Sequence, residues 1–117
     1  MSEFQIEGLP ETLTQTITVP MPLGNGNTMD FVFDATFHRL AGSEIESILE
    51  QSNKGEISDQ QMVEKVLCGW DERVKGKDKK PLPFNPGNLQ SVLDQAPIRR
   101  YIIRGFFEAF NSARLGN

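Results

Sequence analysis

The groups from which chemistry could start are few: one histidine, one cysteine, two aspartates close together in sequence, and a cluster of basic residues. His38 is the only histidine and Cys68 the only cysteine, so no metal site built on several His or Cys ligands can form. His38 follows Phe37 in an alternating run, which places it on the outward face if Phe37 points inward. Cys68 lies beside an apolar helical stripe with no base near it in sequence, and it reads as a small buried hydrophobe. Asp30 and Asp34 share one strand face and could pair as carboxylates; on an exposed face they serve solubility instead. Gly24 and Gly26 resemble a phosphate loop only in composition, because no Lys-Ser/Thr and helix follow them. Lys75, Lys77, Lys79 and Lys80, with Arg99, Arg100 and Arg104, could neutralise phosphates, but the chain carries a net charge of −4 and no helix-turn-helix or zinc pattern. No catalytic residue, cofactor or metal ligand is assigned, and the chain is read as a non-enzyme.

The elements that must position these groups follow from periodicity. Leu13, Ile17, Val19 and Met21 alternate with Thr14, Thr16 and Thr18, and Met29, Phe31, Phe33, Ala35 and Phe37 alternate with Asp30, Asp34 and Thr36. Gly24-Asn25-Gly26-Asn27 joins the two runs, so residues 13–37 read as a β-hairpin with one apolar face. Pro20 and Pro22 cannot donate to a ladder, which makes the first strand an edge or ends it early. A lone hairpin is barely stable in water, so its Met/Phe face must lie on helices.

Four helices are predicted, at about 43–52, 59–68, 86–95 and 97–114. Ser43 with Glu46 and Ser58 with Gln61 read as capping boxes, Gly69 as the stop of the second helix, and Asn85-Pro86 as the start of the third. In the last helix Ile98, Tyr101, Ile102, Gly105, Phe106, Ala109, Phe110 and Ala113 follow the 3.6-residue period, and Ile103 and Phe107 widen the stripe. That surplus points to a partner or a self-interface through Tyr101, Phe106, Phe107 and Phe110; the alternative is a helix buried on all sides. Trp70 and Phe84 are assigned to structure, as anchors of the polar loop 71–80.

The expected architecture is therefore α+β: an N-terminal β-hairpin packed on about four α-helices. It forms one small domain over residues 13–117, after a flexible arm over residues 1–12. A length of 117 residues suits one modest core. Residues 1–59 hold ten acidic and two basic side chains, −8, whereas residues 60–117 hold six and ten, +4. Such a polarised chain can meet copies of itself head to tail, or a partner at one end. No apolar run approaches a membrane span, and Met1 to Pro10 lacks the basic start and apolar centre of a signal peptide, so the protein is expected to stay where it is made.

From Gly69 onward the sequence resembles the tail assembly chaperones of long-tailed bacteriophages. The matching pieces are Gly69-Trp70-Asp71, Val74, Gly76, Pro81-Leu82-Pro83-Phe84, Leu89, Val92-Leu93, Pro97, Ile102 and Phe106-Phe107-Glu108-Ala109, and upstream Ala35-Thr36-Phe37-His38-Arg39-Leu40 with Glu44. The loop 71–80 is more basic than that pattern and lacks its Asp-Gly turn. The resemblance implies a non-enzymatic protein of the host bacterial cytoplasm, phage- or prophage-encoded, that binds the tape measure protein during tail tube assembly and is absent from the mature virion. It also implies contacts with the tail tube protein and with a frameshifted longer form of the chain itself, and self-association is a further expectation. Leu115-Gly116-Asn117 is compatible with the slippery run G GGA AAC. Two rival readings are a structural tail or neck protein kept in the virion, and a basic-faced nucleic-acid-binding module.

Overall fold

A computed structural model describes residues 8–115. A three-stranded antiparallel sheet, in the order β1-β2-β3, is built from β1 (Thr12–Gly24), β2 (Asn27–His38) and β3 (Leu67–Trp70). Four helices complete an α+β domain: α1 (Gly42–Asn53), α2 (Asp59–Val66), α3 (Pro86–Leu93) and α4 (Ile98–Leu115).

The hairpin forms for local reasons. Asn25 and Gly26 both have positive φ, +54° and +79°, the condition for a type I′ turn, whose twist matches that of the strands. β1 pairs with β2 from Thr12↔His38 to Pro22↔Thr28, with an irregularity before Gly24. β1 is an edge strand, as its prolines require, yet it runs through both of them instead of ending early. The arm expected over residues 1–12 joins the sheet at its described end. Thr12 is in β1, Arg39 N–H donates to Glu11 O at 2.8 Å, and Arg39 Nε–H donates to Pro10 O at 2.6 Å. The remainder of that arm, residues 1–7, lies outside the described residues, as do Gly116 and Asn117 of the codon-compatible run.

Helix starts follow side-chain chemistry. Ser58 Oγ accepts from Gln61 N–H at 3.1 Å and Gln61 Oε1 accepts from Ser58 N–H at 2.9 Å, closing the capping box of α2. Asn85 Oδ1 accepts from Asn88 N–H at 2.9 Å, with Pro86 at the first helical position of α3. α1 corrects the expectation at Ser43. Its N-cap is Ala41, and Glu44 reaches back to Ala41 N–H at 3.1 Å, so Ser43 already lies inside the helix. Alanine offers no side-chain acceptor, and only that half of the box stands.

The largest correction is β3. The second helix, expected over 59–68, ends at Val66, and the chain passes directly into a strand. Leu67 pairs with Phe37 and is buried, and Gly69 pairs with Thr36. Gly69 therefore sits in the sheet, its Cα beside Thr36, and does not end a helix. The gain is a second partner for β2, whose outer edge would otherwise be unpaired along its length.

The core lies between the sheet and the helices. Ile17, Val19, Phe33, Ala35 and Phe37 from the sheet meet Met62, Val63 and Val66 of α2, Leu93 of α3, and Ile98, Ile102 and Phe106 of α4. α4 packs on β1 at Gly105, where a Cβ would fall inside the van der Waals shell of Ile17 Cδ1. Glycine at that position lets helix and strand approach each other.

Candidate functional site

The four aromatics expected to form one partner surface on α4 divide. Phe106 is fully buried (0% exposed) and packs edge-on against Phe37, with ring centroids 5.4 Å apart. It is a core residue and offers nothing to a partner, which corrects its assignment. Phe107 and Phe110 are half-buried and lie edge-on to Phe106 at 5.2 and 5.0 Å. Much of the apparent aromatic surplus thus goes into one intramolecular cluster. The helix touches β1, α2 and α3, so it needs a wide apolar stripe for its own packing.

Tyr101 stands apart from that cluster. Its ring is half-buried and flanked by two guanidinium groups, Arg104 at 5.0 Å and Arg100 at 5.6 Å from the centroid. Thr16, Ile17, Thr18, Tyr101, Arg104 and Glu108 line a shallow groove between α4 and β1. Arg99 is committed elsewhere: its Nε–H donates to Leu93 O at 3.2 Å, near the end of α3.

The connector after β3 is a scaffold in its geometry. Trp70 Nε1–H donates to Leu82 O at 2.8 Å, and the Phe84 ring lies edge-on to the indole at 4.8 Å. Val74, the only aliphatic in the polar loop, is buried. Leu82 N–H donates to Val74 O at 2.9 Å and Gly76 N–H to Lys80 O at 3.0 Å, which folds residues 74–82 into a small closed loop. Lys75, Lys77, Lys79 and Lys80 are all exposed on it.

The carboxylates come together differently from the expected Asp30/Asp34 pair. Asp34 meets Asp71 across the β2–β3 junction, with Arg73 between them: Arg73 Nη2 lies 3.0 Å from Asp34 Oδ1 and 2.8 Å from Asp71 Oδ2. Thr16 Oγ1–H also donates to Asp34 at 2.7 Å. Burial opposes ionisation of Asp71, but hydrogen bonds from Arg73 and its positive charge outweigh it and hold the carboxyl below its ordinary value. Those same contacts, against a smaller desolvation penalty, hold the Arg73 guanidinium above its ordinary value. The cluster is an ion-pair clamp, and the lowering of Asp71 runs opposite to what a general acid needs.

The remaining reactive groups are not convergent. His38 is exposed at the end of β2. Cys68 lies on β3, two residues past the end of α2, and is half-buried where full burial is expected; burial pushes its thiol above the ordinary value, which disfavours the reactive thiolate. Among the described residues no group of three or more His, Cys, Asp or Glu is placed to hold a metal ion, and no helix is long and apolar enough to cross a membrane.

Among the described residues the most exposed large apolar side chains lie at the distal end of the hairpin, away from every predicted site residue. Leu23 is 63% exposed and Met29 61% exposed, beside half-buried Met21 and Phe31. The lengths of the elements carry a signal for this exposure. A 13-residue strand spans about 43 Å and an 18-residue helix about 27 Å, so helices of the predicted sizes leave part of such a hairpin uncovered. Comparison of the chain with protein-family models, with curated proteins and with solved structures finds no match.

Proposed function

We propose that this chain is a phage tail assembly chaperone, a non-enzymatic binder of the tape measure protein that acts in the host bacterial cytoplasm and leaves before the virion matures. The reading rests on the resemblance of the run from Gly69 to Ala109 to that family. The observation that carries it further is open apolar surface on a small folded domain: Leu23 and Met29 exposed on the hairpin, with Tyr101, Phe107 and Phe110 half-covered on α4. A protein that shields apolar helices before they assemble needs such a surface, rich in methionine and aromatic side chains that adapt to different partners. The partner face is proposed as Tyr101, Phe107 and Phe110, without Phe106.

Co-expression with the phage's tape measure protein, to be sought as a very long helical open reading frame downstream of this one, tests this. A soluble complex, lost in a Phe107→Asp, Phe110→Asp double variant that still folds, is the expected result. Failure of the two proteins to co-purify, or recovery of the chain in purified virions, would overturn the reading and favour a structural tail or neck role. A second reading, nucleic-acid binding, is favoured by the four exposed lysines on loop 74–82. It requires affinity for DNA or RNA that falls steeply as salt rises.

A further inference from the structure

The two edges of the hairpin are not equivalent. The β1–β2 ladder runs without interruption from Thr12 to Pro22, through Pro20 opposite Asp30 and Pro22 opposite Thr28. A proline has no N–H to give, so the odd-numbered residues of β1 must make the bonds to β2, and the even-numbered residues turn their backbone outward. The outer edge of β1 therefore lacks two donors where the prolines stand, which makes it a poor template for another strand.

On β2 the even-numbered residues likewise face outward. β3 takes up that edge at Thr36 and its neighbours, and Asp71 N–H donates to Asp34 O at 3.1 Å. There the cover stops. Among the described residues, no hydrogen bond reaches the outward N–H and C=O groups of Thr28, Asp30 and Val32. Thr28, Met29 and Asp30 are exposed beside this edge.

We propose that the open edge of β2 from Thr28 to Val32 receives an extended segment of another protein, added in line with β3. A row of alternating donors and acceptors is matched by an extended backbone. The side chains on either face define the rest of the occupant. Residues next to Met29 and Phe31 fall on the apolar face, and the residue next to Asp30 falls on the opposite face. Asp34 is already neutralised by Arg73, whereas among the described residues Asp30 has no ion-pair partner. The occupant is thus a strand with a lysine or arginine between two apolar residues. A second copy of this edge is disfavoured, because the open stretch is centred on Asp30 and two-fold antiparallel pairing would set Asp30 against Asp30. Among the described residues this edge is open whichever protein the chain assists, so the site does not depend on a tape measure partner.

The test is an amide chemical-shift titration of the full chain with an acetylated peptide of about nine residues, alternating valine and threonine with one central lysine. Saturable shifts at Thr28, Asp30 and Val32 are expected. Asp30→Lys should weaken this peptide roughly tenfold and restore binding to the same peptide with a central glutamate. Thr28→Pro, which removes an outward donor without changing charge, should also weaken it. The proposal is overturned by shifts confined to α4, by affinity indifferent to both substitutions, by no shift at about 1 mM peptide, or by self-association of the free chain that Asp30→Lys alters.

Discussion

The two ends of one hairpin carry the same alternation and meet opposite fates. Near the strand ends, Ile17, Val19, Phe33 and Phe37 are buried under α2 and α4. Toward the turn, Met29 lies on the same face as Phe33, four residues away, and is 61% exposed. Both ends satisfy the rule that apolar residues alternate with polar ones on a half-buried strand. What separates them is cover, which a neighbouring element supplies. Burial is therefore a property of the strand and its helix together, and the uncovered end is where a partner can supply what the chain does not.

The comparison breaks first at its covered end. Phe33→Ala should cost about 4 kcal/mol, the loss expected for a fully buried aromatic that leaves a cavity. Urea denaturation would show it as a lower midpoint with unchanged slope; a loss below about 1 kcal/mol would mean that the core does not depend on this end of the sheet. Trp70→Ala should follow at about 3 kcal/mol, because it removes the indole bond to Leu82 and the edge-on contact with Phe84 while the side chain is only half-buried. Trp70→Phe separates the two contributions. It keeps the packing and should recover more than half of the loss in a thermal scan.

Much of the hairpin was legible because its signals are local: alternation sets the faces, and Asn25-Gly26 sets the turn and register. The caps at Ser58 and Asn85 were legible for that reason too, since donor and acceptor lie three residues apart. β3 was not. Leu67-Cys68-Gly69-Trp70 is too short to display a period, and it becomes a strand because β2 offers it an edge from a distant part of the chain. The split among the α4 aromatics was hidden in a similar way. Phe106 and Phe107 are adjacent in sequence, and only the approach of Phe37 sends the first into the core. The candidate surface on the distal hairpin is a long-range property as well, because it exists where the helices end.

Between the two ends sits the clamp of Asp34, Arg73 and Asp71, and pH acts on it. The folded-state pKa of Asp71 is lowered, so its contribution to stability is present above the ordinary value of 3.8 and is lost as pH falls through the folded value. Asp71→Asn should therefore lose less stability than the wild type between about pH 5 and about pH 2, measured as the shift in urea midpoint at each pH. Parallel curves would mean that the clamp gives the junction no acid-sensitive hold. The effect is small because all three side chains are partly open to water, where ion pairs are screened.

The smallest expected effect is the most discriminating. Met29→Thr keeps a residue suited to a strand and removes a side chain that is mostly in water, so folding stability should change by no more than about 0.5 kcal/mol. Met21 stands opposite Met29 across the ladder and would keep its own packing on the core. If Met29 serves a partner, this variant should unfold at the wild-type temperature and still bind that partner more weakly. A loss above about 1 kcal/mol in the isolated chain would show that the distal face is packed in solution. In that case the covered and uncovered ends of the hairpin would not differ, and neither the open face nor the open edge beside it could serve as a docking surface.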